Sequence, residues 1–223
     1  MNFNILTLFP DAFPGVLGQS VTGRALAKNL WNYQAINIRD FAKNKHKTVD
    51  DKPYGGGSGM LIKPDVIADA IENIPSNKRG RLIYTSASGK LFNQDIARNL
   101  AEEENLTFLC GRYEGVDNRV IEYYNMQELS IGKYVLSGGE LATQVMIDAI
   151  IRNLDGVLGN NKATEFESYG DDDAFQKLLE FPQYTRPEIW RGQSVPDILL
   201  SGNHAKIRQW QLQQAKAKTS KIN

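Results

Sequence analysis

Cysteine and histidine are almost missing from this 223-residue chain: Cys110 stands alone, and the only histidines are His46 and His204. One cysteine cannot close an intramolecular disulfide, and two distant histidines make no zinc cluster with it. Cys110 ends an apolar run and reads as a small buried residue. Neither sign of charge is in excess, since 26 Lys and Arg balance 26 Asp and Glu. That excludes a small basic nucleic-acid module, and contact with a polyanion has to come from local patches. No apolar run approaches the ~20 residues of a membrane span. The first ten residues lack a basic segment followed by a long apolar core, so they are no secretory signal, and a cytoplasmic protein is expected. A Lys-Ser or Lys-Thr pair after a glycine-rich stretch is also missing, which argues against a phosphate-binding P-loop.

What is present is an ordinary globular composition, 41% apolar and 23% charged, in a length that suits one large domain with a small appendage. Apolar runs at 3–9, 33–39, 81–86, 106–110 and 126–131 read as strands. Between and after them, 23–30, 64–74, 93–104, 116–123 and 140–152 read as helices, with Pro64 in a first turn and Asn93 as a cap. In the last of these, Leu141, Val145, Ala149, Met146 and Ile150 form a wide apolar face. Alternation of this kind predicts an α/β domain over residues 1–159 with a mostly parallel sheet. Residues 160–175 are rich in acidic side chains and read as a mobile linker. A small helical domain is expected over 176–223. Its last helix turns Ile207 and Trp210 inward and Lys206, Arg208, Lys216 and Lys218 outward, a basic face that solvation alone explains and that also suits an RNA backbone.

Two stretches organise the rest. Phe108-Leu109-Cys110-Gly111-Arg112-Tyr113-Glu114-Gly115-Val116-Asp117 and Ser130-Ile131-Gly132-Lys133-Tyr134-Val135-Leu136-Ser137-Gly138-Gly139-Glu140 each read as a strand ending in glycines ahead of a helix. Such loops allow a ligand close to the main chain, and in parallel sheets ligands bind beyond the carboxyl ends of the strands. Ser86-Ala87-Ser88-Gly89-Lys90 is a third strand-end loop. A long polar loop at 40–60, with Gly55, Gly56, Gly57 and Gly59, has the length of a functional segment.

The strings CGRYEGVD and SIGKYVLSGGE, with HKTVDDKPYGGGSGM, PQYTRP and LLSGNHA, resemble the bacterial tRNA (guanine-N1)-methyltransferase family, a knotted class often called SPOUT enzymes. The resemblance runs from Phe9 to Trp210. It implies a deep trefoil knot in the sheet, whereas periodicity alone proposes an unthreaded one, because threaded chains are rare. It further implies methyl transfer from S-adenosyl-L-methionine to N1 of the guanosine next to the anticodon of tRNA, on its 3′ side, in a homodimer whose site lies between subunits. The implied cofactor positions are Tyr84, Thr85, Ser86, Gly111, Tyr113, Gly115, Ser130, Ile131, Gly132, Tyr134, Val135, Leu136, Gly138 and Gly139. Asp50, Gly59 and Glu114 fall where the target guanosine is read, and Lys43, Lys45, Lys47 and Lys52 where RNA phosphates pass.

Guanine N1 carries a proton at neutral pH, so a base has to remove it, and charge developing on O6 calls for a donor. Arg152 aligns with the family's catalytic arginine and suits O6. Where the family has an aspartate in an Asp-Ser-Phe string, this chain has Glu167-Ser168-Tyr169 and then a few extra residues. Glu167 is the expected base and Asp171 the reserve. No metal site is expected, and participation of magnesium is left open. Two other readings remain at this level: a non-catalytic RNA-binding protein on the same scaffold, and an ATPase built around Gly55 to Gly59.

Overall fold

Strands buried on both faces need near-continuous apolar runs, and segments such as Leu106 to Cys110 supply them. The computed structural model describes residues 1–159, 167–170 and 174–221. In chain order the elements are β1 (Asn2–Thr7), α1 (Ser20–Ala27), β2 (Asn32–Asn37), β3 (Asp50–Asp51), β4 (Leu61–Ile62), α2 (Pro64–Glu72), α3 (Ser76–Arg79), β5 (Arg81–Leu91), α4 (Gln94–Ala101), β6 (Asn105–Cys110), α5 (Asn118–Tyr123), β7 (Gln127–Ser130) and α6 (Glu140–Ile151). After these come β8 (Ile189–Trp190), β9 (Gln193–Ser194), α7 (Asp197–Leu200) and α8 (His204–Thr219). The chain divides into two compact units, Met1–Leu158 and Gly159–Asn223.

The first unit is built on a five-stranded sheet in the order β2-β1-β6-β5-β7, with every pairing parallel. Alternate side chains of each strand feed opposite faces. Phe3, Ile5, Phe108 and Cys110 join Trp31 and the inner sides of α1, α4 and α6 in one core. Leu6 and Leu109 join Ile36, Val66, Ile67 and Ile71 in the other, under α2 and α5. Asn93 caps α4 by accepting from the Ile96 amide at 3.0 Å, and Pro64 occupies the first turn of α2. β2 stops at Asn37 because that side chain accepts from the Arg39 amide at 3.0 Å and starts a 3-10 turn, so residues 38 and 39 are not strand.

Two readings of the sequence need correction. Leu141 and Val145 do not face inward: they are 60% and 50% exposed, while Ala142, Thr143, Met146, Ile147 and Ile150 are buried. α6 is apolar nearly all round, so periodicity could not choose its buried side. The C-terminal part has the helices α7 and α8 and, beside them, an antiparallel hairpin of β8 and β9. In that second unit Phe175, Phe181 and Ala215 form a small core with Leu178 and Leu212 against it. Phe175, placed in the linker by composition, is thus a core residue. Among the described residues no helix is long and apolar enough to cross a membrane.

Candidate active site

Parallel strands put their carboxyl ends on one side of the sheet, and three loops leave from there. β5 drops out of its ladder with β7 after Thr85 and rejoins at Lys90, pushing residues 86–89 out as a bulge. The second loop follows β6 and the third follows β7. Together they wall a cleft of about 290 Å³, close to the lower end of the ~300–1,000 Å³ typical of ligand sites. Its lining includes Tyr84, Thr85, Ser86, Gly111, Tyr113, Gly115, Ser130, Ile131, Gly132, Tyr134, Val135, Leu136, Gly138 and Gly139, together with Glu114. Three segments far apart in sequence therefore meet in one wall.

Local chemistry explains how the loops are held. The Gly139 amide donates to the Gly111 carbonyl at 2.8 Å, stitching the third loop to the second. A Cβ at Gly139 would collide with Thr85 Oγ1 and lie 2.8 Å from the Gly111 amide, so only glycine allows this approach. Tyr113 sits at φ +58°, a region that bulky residues rarely adopt and that clusters at functional sites. Behind the loops runs a buried polar chain. Thr7 Oγ1, at the end of β1, donates to Glu140 Oε1 at 2.7 Å. Glu140 Oε2 lies 2.8 Å from Arg112 Nη2, and Arg112 Nη1 donates to the Ser137 carbonyl at 3.1 Å. The guanidinium also lies 4.3 Å over the Phe9 ring. Glu140 Oε2 and Arg112 Nε are buried without an aligned hydrogen-bond partner, so charge rather than geometry holds this pair.

The three positions expected to read the target base are brought together. Asp50 pairs with Ile62 across β3 and β4. The Ile62 amide donates to the Gly115 carbonyl, and the Glu114 amide donates to the Met60 carbonyl, both at 3.0 Å. The Glu114 carboxylate lies over Gly59, where a Cβ would come within 2.6 Å of Oε1. So the glycine-rich loop is docked on the turn after β6, beside the cleft. Gly55 to Gly59 lie between two short strands and do not open a helix, which removes the geometry an ATPase P-loop needs.

The cleft's donor set fits S-adenosylmethionine. Tyr134 and Val135 stand 54% and 85% exposed in its wall, apolar surface that a flat ring would cover. Arg112, the cation in that wall, is paired with Glu140, so a sulfonium meets no uncompensated positive charge there. Cys110, directly beneath, is buried, and burial pushes its thiol pKa up, which keeps it neutral and unreactive. Among the described residues no group of His, Cys, Asp and Glu is arranged to hold a metal ion.

Two expected catalytic positions come from outside the three loops. α6 starts in the cleft wall near Ala142 and ends at Arg152. At 1.5 Å per residue the ten residues from Ala142 put the Arg152 backbone ~15 Å along the helix from that wall in its own chain. Glu167 belongs to the second unit, in a turn where the Gly170 amide donates to its carbonyl at 2.9 Å and Ser168 Oγ accepts from the Glu180 amide at 3.0 Å. Asp171 lies outside the described residues. Sequence reasoning missed the supporting set of Thr7, Arg112, Ser137 and Glu140. Arg112 and Glu140 sit inside the quoted strings, and a charged residue opening an otherwise apolar helix was the available signal; nothing marked Thr7.

Comparison with known proteins agrees with this geometry. The family model described as tRNA (Guanine-1)-methyltransferase TrmD matches residues 1–223. A protein of Ehrlichia canis named tRNA (guanine-N(1)-)-methyltransferase is 54% identical over 216 residues, 96% of this chain and 90% of the relative. Proteins of the same name from Rickettsia akari and Anaplasma marginale are 50% and 51% identical, over 97% and 99% of this chain and 93% and 92% of theirs. A match spanning the strand-end cleft, the docked glycine loop and the second unit alike leaves one assignment: the chain belongs to the tRNA (guanine-N1)-methyltransferase family.

Proposed function

We propose that this chain methylates N1 of the guanosine at tRNA position 37, on the 3′ side of the anticodon, using S-adenosyl-L-methionine. The observation that carries the reading is the junction of the strand-end cleft with the loop holding Asp50, Gly59 and Glu114. One cavity can then hold the methyl donor, and the neighbouring surface the base. When bound, the cofactor supplies a methyl group already activated by its sulfonium. The protein's tasks are to hold the two reactants in line and to manage one proton.

Main-chain groups of Gly111, Gly115 and residues 131–139 hold adenine and ribose, with Ile131, Tyr134 and Leu136 packed on the ring. Glu114 accepts from the Watson–Crick edge of guanine, with Asp50 and Gly59 completing the seat. Glu167 takes the N1 proton. Arg152 donates to O6 as negative charge develops there. Lys43, Lys45, Lys47 and Lys52 would meet RNA phosphates, Lys43 and Lys47 exchanging their partners Asp69 and Asp40 for them.

The Arg152 backbone lies ~15 Å along α6 from Ala142 in its own cleft wall, so the reaction is assigned to a homodimer in which these groups come from the partner. The exposed Leu141 and Val145, one turn apart on α6, and exposed Phe9 and Val16 on the same unit support such an interface. A trefoil knot accompanies family membership. It is supported by the tight passage of Gly139 beside Thr85 and Gly111 at the ends of β5 and β6.

The test is single-turnover transfer of a labelled methyl group to a tRNA transcript carrying guanosine after the anticodon. Glu167→Gln is expected to slow the chemical step by about 10²–10⁴-fold and Arg152→Ala to slow it while cofactor affinity stays near wild type. Full activity in Glu167→Gln with loss in Asp171→Asn would move the base to Asp171. No transfer by the wild-type protein would overturn the assignment.

A further inference from the structure

The zero net charge hides a separation. Residues 174–223 carry eight Lys and Arg against three Asp and Glu, whereas residues 1–173 carry 18 against 23. The stretch 174–223 is therefore the basic part of the sequence, following the acidic run 165–173, and it presents one unusual surface element. In the β8–β9 hairpin Ile189 stands opposite Ser194 and Trp190 opposite Gln193. Its turn is Arg191-Gly192, with φ at +51° and +79°, the backbone signs of a type I′ hairpin. Such a turn favours asparagine or glycine at the position that Arg191 takes. Ile189 and Trp190 are 62% and 57% exposed, and the Arg191 guanidinium lies 4.9 Å from the Trp190 ring centroid.

A hairpin this short does not persist on propensity alone, and exposing a tryptophan at its tip gains nothing for folding. An aromatic face with a guanidinium beside it is how proteins seat a splayed nucleic-acid base: the ring stacks on the base and the cation meets the adjoining phosphate. The net positive charge of residues 174–223 supplies the matching field. A protein partner would favour a broader apolar patch, but the residues opposite Ile189 and Trp190 are Ser194 and Gln193.

We propose that the β8–β9 hairpin is a stacking platform for an unpaired base of the substrate tRNA, with Trp190 as the stacking ring and Arg191 at the neighbouring phosphate. The proposal rests on the tRNA reading above and adds a contact to it. Its test is equilibrium binding of the dimeric enzyme to the tRNA transcript, followed by tryptophan fluorescence. Trp31 is wholly buried in the core of the first unit, so base stacking cannot quench it; the half-buried Trp210 is replaced by Phe in every protein compared, and Trp190→Phe in that background isolates the signal of Trp190.

Trp190→Ala is expected to weaken tRNA binding by about 5- to 100-fold, the range for loss of one stacked base. The loss should appear in KM for tRNA and leave S-adenosylmethionine affinity unmoved. Trp190→Phe keeps a ring and should bind within about threefold of wild type, but without most of the quench. Arg191→Ala should lower the slope of log affinity against log salt by about one. Unchanged tRNA binding in Trp190→Ala, or a full quench in Trp190→Phe, would overturn the proposal. So would dissociation of the dimer in Trp190→Ala, which would make the hairpin a self-association surface. Binding and quenching without methyl transfer would leave the hairpin standing and remove the enzyme reading instead.

Discussion

Replacing Glu140 by glutamine tests the electrostatic support of the cleft. Glu140 is 3% exposed and holds Thr7 at 2.7 Å and Arg112 at 2.8 Å. Glutamine keeps the size and an acceptor for Thr7, and removes only the charge that faces the guanidinium. Taking one partner from a buried pair costs about 3–5 kcal/mol, because the other charge is left uncompensated. Arg112 retains 25% of its side-chain exposure, so water recovers part of that, and a loss of about 2–3 kcal/mol is expected. For a protein of this size that lowers Tm by about 4–12 °C, read by circular dichroism without cofactor. Calorimetric titration should show weaker S-adenosylmethionine binding as well, because Arg112 also tethers the Ser137 carbonyl. The double change Arg112→Met with Glu140→Leu removes both charges and should cost less stability than Glu140→Gln alone, yet still lose cofactor affinity. A Tm within 1 °C of wild type for Glu140→Gln, or single and double changes that simply add, would refute the ion-pair account.

Gly139→Ala should abolish cofactor binding and cut stability by several kcal/mol, on the order of an overpacked core site, because its Cβ meets Thr85 Oγ1 and the Gly111 amide; calorimetry and thermal melts check both. Cys110 should resist aromatic disulfide reagents at pH 8 until the protein unfolds, since burial raises its thiol pKa. The folded pKa lies above the unfolded one of about 8.5, so this group's contribution is intact below that pH and is lost as pH rises beyond it; Cys110→Ala should shrink this alkaline limb and leave the part due to Tyr84 and Tyr124, whose pKa values burial also raises.

Legibility in the sequence followed the physics of each signal. β1 and β6 could be read because parallel strands buried on both faces leave unbroken apolar runs. Helix starts at Pro64 and Asn93 could be read because a fixed φ and a side-chain cap are local properties. The side on which α6 is buried was not legible, since Leu141 and Met146 are equally apolar and only the neighbouring sheet decides between them. Nor was the β8–β9 hairpin: its strands have two residues each, too short for any alternation to show, and its turn carries arginine where asparagine is the usual sign. Phe175 read as linker because acidic neighbours outweigh one aromatic in a composition window, although that aromatic anchors the small core.

The candidate site divides along the same line. The wall of its cleft was legible because glycines after strand ends are sequence-local, and three such loops converge once the strands run parallel. Thr7 was not, because its role exists only through Glu140, 133 residues away. The proposed proton chemistry is less local still. Glu140, opening α6, supports the cleft, whereas Arg152, closing it, sits ~18 Å off along the same rigid helix. One copy of α6 cannot bring both ends to one guanine. If Arg152 meets O6 as proposed, a second α6 has to present its far end where the first presents its near end. The exposed Leu141 and Val145 would then be covered between copies. Dilution below the dimer's dissociation constant should therefore abolish methyl transfer at a protein concentration where each chain is still folded.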